Sequence, residues 1–413
     1  MPTSKKTPPH VSDRLIFGLA ILLICLSIIP VLRDISSARQ DVTGLFDQCL
    51  AIAACVLFLL LVRLARRSPE NGAVVPSATR DWLIAYAAVL LVSASLILVA
   101  DPYSRFGPRP FSRLILPTSR KIEAYNRLPD APQVVVLGSS RALPIQSSYF
   151  EGKWGIDTFN FSVQGTSTET LLILTRYMLA QNKFPHVLFV EVSPPLDRGE
   201  GAVLERTPPS LLPFTSADLV LPILRQDFFS ILSIQSLSDA FYILLRYFWT
   251  GVPEYEAYFD ESGDYIDPNL DSGIQPDTLA AEALNMRLSD CSTLDPIGIR
   301  EIEELMRIAA GQDSSVVFFQ SPRSRDLYDR MIAEDPFSAC LRDFSRTMRA
   351  FDTAYSNVFF LDYIQLETVE SLAASAYRDP IHLTYSGAQA LIDAAIPTIQ
   401  DALAQARSMQ NAP

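Results

Sequence analysis

Hydrophobic and polar positions along this chain change their period near residue 131. Upstream, apolar residues run together without alternation: residues 15–32 and 82–100 hold no charged side chain and are each long enough to cross a bilayer. A run at roughly residues 45–62 opens with Asp47 and Gln48 and is the weakest of the three. Downstream, short β-branched and aromatic runs alternate with stretches of helical period. The runs at 134–137, 158–162, 187–192, 315–320 and 358–362 read as buried strands, and those at 169–181, 299–310, 343–351 and 387–406 as helices. That alternation predicts an α/β fold with a mostly parallel five-stranded sheet covered by helices on both faces.

The rhythm breaks between about residues 194 and 290, where proline-rich stretches (RTPPSLLPF) mix with apolar, aromatic ones and an acidic segment, YFDESGDYIDPN. The stretch FYILLRYFW is too short to span a membrane and is interrupted by Arg246, so a buried helix of an insertion is expected rather than a fourth span or a docking surface. The expected layout is a membrane anchor of about three transmembrane helices (1–101), a juxtamembrane linker (102–130), and an α/β domain (131–413) with a helical insertion at about 194–290.

Basic residues orient the anchor. Lys5, Lys6 and Arg14 precede the first run and Arg63, Arg66, Arg67 and Arg80 separate the second from the third, against Arg33 and Arg39 in the first loop. With three spans this places the N-terminus in the cytoplasm and everything after Ala100 outside it. Arg105, Arg109, Arg113, Arg120 and Lys121 oppose that placement, but long translocated domains escape the charge rule more often than short loops. Residues 15–32 could also read as a signal peptide, with Ser36-Ser37-Ala38 as a cleavage site; the length of the apolar core and the runs that follow favour an anchor.

A mean hydropathy of +0.18 over 413 residues agrees with membrane segments beside a globular domain. Charge divides at the same place. The first 130 residues hold 15 basic and 9 acidic side chains, so of the totals of 34 and 46 the rest keeps 19 and 37, a net of −18. So acidic a domain is a poor partner for nucleic acid or anionic lipid. Cys291 and Cys340 are the cysteines outside the apolar runs, and a disulfide and two buried thiols are both compatible with their spacing. Three histidines in the whole chain argue against a metal centre, and no cofactor motif is visible.

Chemistry gathers at two places. Gly138-Ser139-Ser140-Arg141 closes the first predicted strand, at the sheet edge where open α/β folds bind ligands. Near the other end, YRDPIHLTYSG sets Asp379 and His382 three residues apart before the last helix. A carboxylate there can orient one imidazole nitrogen and leave the other to activate a serine hydroxyl. Singly, GSSR is a turn of small residues and DPIH an Asp-Pro turn. Their order at opposite ends of one domain makes Ser140, His382 and Asp379 a candidate triad, because His10 lies in the N-terminal tail and His186 directly precedes a strand.

These motifs resemble the SGNH, or GDSL-type, hydrolases and acyltransferases. The resemblance implies a three-layer α/β/α fold, with Ser140 as nucleophile in the Gly138-Ser139-Ser140 turn and Asp379 and His382 as the last block. It also implies an oxyanion hole built from the Ser140 and Gly165 backbones, the glycine coming from the block Asn160-Phe-Ser-Val-Gln-Gly165. The family's third block, Gly-x-Asn-Asp, is absent: the third strand ends in Glu191-Val192-Ser193-Pro194-Pro195, where Ser193 is a candidate donor or substrate contact. Arg141 either holds the turn through an ion pair or meets an acidic substrate.

The GSSR block, the missing asparagine and the upstream apolar runs resemble the branch that works beside membrane-bound O-acyltransferases in teichoic acid D-alanylation and alginate O-acetylation. For this chain that implies a serine O-acyltransferase of the bacterial inner membrane, with a periplasmic catalytic domain acting on a cell-envelope or extracellular polysaccharide and no cofactor. A carbohydrate esterase and a non-catalytic scaffold for a membrane-bound O-acyltransferase are the alternatives.

Overall fold

The computed structural model describes residues 93–100, 117–199, 203, 207–231, 234–250, 259–267, 270, 273–286, 291, 293–364 and 374–410. The chain divides into two compact units, Met1–Ala100 with Asp227–Gly251, and Asp101–Gln226 with Val252–Pro413. Among the described residues no helix is long and apolar enough to cross a membrane. The expected spans at 15–32 and 45–62, and most of the one at 82–100, lie outside them.

In the larger unit, five strands form one parallel sheet: β1 (Val134–Leu137), β2 (Thr158–Asn160), β3 (Val187–Glu191), β4 (Ser315–Phe319) and β5 (Val358–Leu361), in the order β2-β1-β3-β4-β5. A small antiparallel hairpin, β6 (Tyr377–Asp379) and β7 (His382–Leu383), follows. After a helical stretch at 93–100, the described helices are α1 (Pro117–Arg127), α2 (Ser147–Trp154), α3 (Thr168–Ala180), α4 (Ala217–Ile231), α5 (Ile234–Thr250), α6 (Pro276–Asn285), α7 (Pro296–Ala310), α8 (Arg325–Ala333), α9 (Asp335–Ala354) and α10 (Tyr385–Gln410).

The period of two along each strand divides the core between two faces. Val135, Leu137, Leu188, Val190 and Phe318 pack with α1, α3, α7 and α9, while Val134, Val136, Phe189 and Phe319 pack with α2 and α10. The result is three layers, α/β/α. Local signals set the helix starts: Ser167 caps α3 by accepting from Thr170 N, and Asp295 caps α7 by accepting from Ile297 N, with Pro296 at the first helical position. From β1 the chain steps outward to β2 and then returns across β1 to β3. The crevice at the carboxyl ends of β1 and β3 is therefore the switch point of the sheet, the place where such folds bind ligands.

Several expectations change. The second strand ends at Asn160, not Ser162, because Asn160 turns its side chain to the backbone: its Nδ2 donates to Ile145 O at 2.6 Å. The helix expected at 343–351 is the middle of α9, whose apolar stripe of Phe337, Leu341, Phe344, Met348 and Phe351 starts earlier. Helix α2 has no apolar period; its start is held by Asp264 of the acidic segment, which accepts from Ser147 N at 2.6 Å and Ser148 N at 3.2 Å. Within the stretch expected to be a linker, α1 buries Lys121 and Tyr125 completely. FYILLRYFW is helical, as part of α5, and is buried only in part: Ile243 is covered, while Phe248 is 81% and Trp249 91% exposed, beside exposed Phe241, Tyr242 and Leu245. Periodicity predicted the helix there but could not say which face would be covered.

Cys291 and Cys340 form a disulfide with Cα atoms 5.7 Å apart, inside a cluster with Leu327, Met331 and Leu341. It closes a loop with a sequence separation of 49. Replacing both cysteines by serine should lower the unfolding free energy by about 4 kcal/mol, the chain-entropy value for a loop of that length, in denaturant titrations.

An ionic cluster, buried except for Asp218, joins α3, α7 and the segment after β3. Glu169 accepts from Ser216 N and Oγ, Glu301 accepts from Thr168 Oγ1 at 2.6 Å, and Arg198 pairs with Glu301 at 3.0 Å and with Asp218 at 2.7 Å. One guanidinium cannot neutralise three carboxylates. Burial, then Glu169 alongside it, push the Glu301 carboxyl up to about 8, so it holds its proton near neutrality. A carboxyl raised in the folded state contributes stability that is complete below its ordinary value and lost as pH rises through the folded one. Unfolding free energy should therefore fall between about pH 5 and 8, and Glu301→Gln should flatten that slope in denaturant titrations across the range.

Candidate active site

Sequence positions 140 and 382 meet because the first strand and the last hairpin end at the same edge of the sheet. Ser140 Oγ lies 2.7 Å from His382 Nε2, and His382 Nδ1 lies 2.7 Å from Asp379 Oδ2. A neutral imidazole with its proton on Nδ1 satisfies both contacts, donating to the carboxylate and accepting from the serine hydroxyl. The tight turn at Pro380 and Ile381 fixes the acid: Asp379 Oδ1 accepts from Ile381 N at 2.9 Å and His382 N at 3.0 Å. Burial works to raise the Asp379 carboxyl, but the bonds from His382 and these backbone groups outweigh it and hold it below its ordinary value.

The turn that carries Ser140 is built against β3. At Gly138 a side-chain carbon would sit 2.6 Å from Glu191 Cβ and 2.7 Å from Ala142 Cβ, so only glycine lets the chain pass. Glu191, 3% exposed, then holds the turn through its carboxylate. Its Oε2 accepts from Ser139 N at 3.1 Å and Ser139 Oγ at 2.8 Å, and its Oε1 pairs with the Arg141 guanidinium at 2.7 Å. Arg141 also donates through Nε to Ser139 Oγ at 3.1 Å and through Nη2 to Ser193 Oγ at 2.7 Å. Behind it Arg323 is buried, its Nη1 donating to Ser321 O at 3.1 Å. Burial and the neighbouring Arg141 charge lower that guanidinium to about 9, and it remains a cation at neutral pH.

A cavity of about 330 Å³ opens at the crevice, lined among others by Ser140, Arg141, Gly165, Leu171, Ser193 and Ile381. Gly165 adopts a φ of 67°, a backbone conformation that side chains strain. The loop bearing it is tied to the Gly138–Arg141 turn, with Val163 N donating to Gly138 O at 2.9 Å and Thr166 Oγ1 to the same oxygen at 2.8 Å. Neither the Ser140 nor the Gly165 backbone N–H has an acceptor among the described residues. Two unspent donors beside a serine hydroxyl are what a developing oxyanion requires.

All six residues singled out in the sequence thus fall in one neighbourhood: Ser140, His382 and Asp379 in a hydrogen-bonded chain, with Gly165, Arg141 and Ser193 on the cavity wall. Arg141 is held by an internal ion pair, the first of the two roles open to it. Sequence reasoning missed Glu191 and Arg323. The signal for Glu191 was a lone acid at the end of an apolar run, VLFVEV; Arg323 follows β4 with no pattern to mark it.

No family model matches this chain and no curated protein does. Among solved structures it is similar to a candidate platelet activating factor from Streptococcus pneumonia, with 13% identity, a TM-score of 0.33, and coverage of 76% of this chain and 98% of that one. A likeness of that degree fixes neither fold nor activity, and the chemistry of the site rests on its own geometry.

Removing the Glu191 carboxylate would leave the Arg141 charge and the Ser139 donors without their acceptor. Glu191→Ala should cost about 3 to 5 kcal/mol in denaturant titrations, the range for breaking a buried ion pair. Glu191→Gln, which keeps an acceptor oxygen, should cost less.

Proposed function

We propose that this protein is a serine acyl-transfer enzyme of SGNH type that works through an acyl-Ser140 intermediate. The observation that supports it is the continuous chain Ser140 Oγ, His382 Nε2, His382 Nδ1, Asp379 Oδ2, with both contacts at 2.7 Å and beside unspent backbone donors. As Ser140 Oγ attacks an ester carbonyl, its proton passes to His382 Nε2, and Asp379 stabilises the imidazolium. The carbonyl oxygen takes up negative charge against the Ser140 and Gly165 N–H groups. Collapse of the tetrahedral adduct breaks the bond to the leaving alcohol, which takes the proton back from Nε2. An acceptor hydroxyl then enters, gives its proton to His382 Nε2 and attacks the acyl-serine; the Ser140 Oγ–acyl bond breaks, Ser140 takes the proton back from Nε2, and a new ester leaves.

The acceptor we assign is a hydroxyl of a cell-envelope or extracellular polysaccharide, which makes the protein an O-acyltransferase of the extracytoplasmic face. The sequence resemblance supports that assignment, with the apolar runs upstream. The Cys291–Cys340 disulfide also favours an oxidising compartment. Water as acceptor gives the esterase reading by the same intermediate.

A fluorophosphonate probe should label the wild-type protein at Ser140 and leave Ser140→Ala unlabelled. Turnover of p-nitrophenyl acetate should fall by roughly six orders of magnitude in Ser140→Ala and His382→Ala. The double variant should be little worse, because the members act as one unit. Asp379→Asn should lose as much or less. Unchanged polysaccharide acylation in a stably expressed Ser140→Ala strain would end the enzymatic reading in favour of the scaffold.

A further inference from the structure

The Ser193 hydroxyl stands in an unusual hydrogen-bonding position. A guanidinium has donors and no acceptor, so the 2.7 Å contact from Arg141 Nη2 takes up a lone pair of Ser193 Oγ. The hydrogen of the hydroxyl must then point elsewhere, and no acceptor for it is found among the described residues. Ser193 faces the cavity that Ser140 and Gly165 also line. In the parallel pairing of β1 with β3, Leu137 stands opposite Val190, so Ser140 and Ser193 each lie three residues beyond a matched pair, on neighbouring strand ends. The turn after β3 uses the Ser193 backbone and not its side chain: Leu196 N donates to Ser193 O at 3.0 Å. Shaping the turn and accepting from Arg141 therefore leave the hydrogen of the hydroxyl unused.

Arg141 is fixed as well as charged. Its ion pair to Glu191 and its bond to Ser139 keep the guanidinium on the wall, so it orients Ser193 without swinging into the cavity. A cation donating to a hydroxyl oxygen draws electron density from it and strengthens the hydrogen as a donor.

We propose that Ser193 is a side-chain oxyanion donor of this site, its hydroxyl aimed by Arg141 at the carbonyl oxygen that becomes negative when Ser140 attacks. The assignment rests on the acyl-serine reading. It gives the site three donors, two from the backbone and one hydroxyl, with Glu191 holding the cation that orients the third.

The test uses the full chain in detergent with p-nitrophenyl acetate as substrate, the fluorophosphonate labelling rate at Ser140 as a second readout, and thermal unfolding alongside. Ser193→Ala should lower kcat about a hundredfold to a thousandfold with KM little changed, and slow labelling similarly, since phosphonylation also builds negative charge on oxygen. Ser193→Thr, which keeps the hydroxyl, should recover most of the loss. The affinity of a boronic acid that forms a tetrahedral adduct should fall in Ser193→Ala by about the same factor as kcat/KM. A role confined to shaping the loop would move KM or thermal stability instead and would not make adduct affinity track rate. Wild-type-like turnover and labelling in Ser193→Ala, or a loss that threonine does not repair, overturns the inference and leaves the acyl-serine reading standing. A wild-type protein that neither turns over the ester nor takes the probe at Ser140 overturns both.

Discussion

A single buried carboxylate organises the candidate active-site edge of this molecule. Glu191 ends an otherwise apolar strand, and in the low dielectric of the core its charge has to be matched by nearby donors. The turn after β1 supplies them: the backbone and hydroxyl of Ser139 and the guanidinium of Arg141. The match fixes the position of the residue between them, Ser140. It also explains why the chain needs Gly138, since a strand close enough for its carboxylate to reach the turn leaves no room for a side chain there.

From that clamp the other parts of the site take their places. The switch point of the sheet separates the β1 and β3 ends and opens a cavity between them. The β6–β7 hairpin brings His382 to Ser140, and its own turn fixes Asp379 through two backbone N–H groups. The hairpin is itself tied to the segment after β4, where Tyr377 Oη donates to Arg323 O at 2.9 Å and Ser324 N to Pro380 O at 3.0 Å. Hydrogen bonds and ion pairs thus hold the side chains of Ser140, His382, Asp379 and Ser193 in place, the arrangement in which electrostatic preorganisation can act.

The remaining charged groups of the core follow the same rule of local compensation. Arg198 stands among Glu169, Glu301 and Asp218, and the excess of carboxylates is met by a proton kept on Glu301. Lys121, fully buried, donates to Asn160 O at 2.7 Å and is lowered to about 7, burial outweighing the nearby Asp264 and Asp260. Both clusters fasten segments of irregular pattern to the sheet, the stretch after β3 in one case and the acidic segment in the other.

The amino-acid pattern by itself determined the five strands and their parallel arrangement, because fully buried parallel strands must be continuous apolar runs and the connections between them must be long enough for helices. It also marked Ser140, Asp379 and His382, since small residues at a strand end and a histidine near an acid are visible as local spacing. It could not order the strands, since adjacency depends on which faces pack. The cover of α5, the cap that Asp264 places on α2, and the clamp from Glu191 to Ser139 and Arg141 were likewise decided only in the tertiary structure. Each joins groups far apart in the chain or depends on what a face meets, and local periodicity carries no information about either. The cysteine spacing allowed pairing or two thiols, and only the packing of α9 against the segment before α7 brought Cys340 to Cys291.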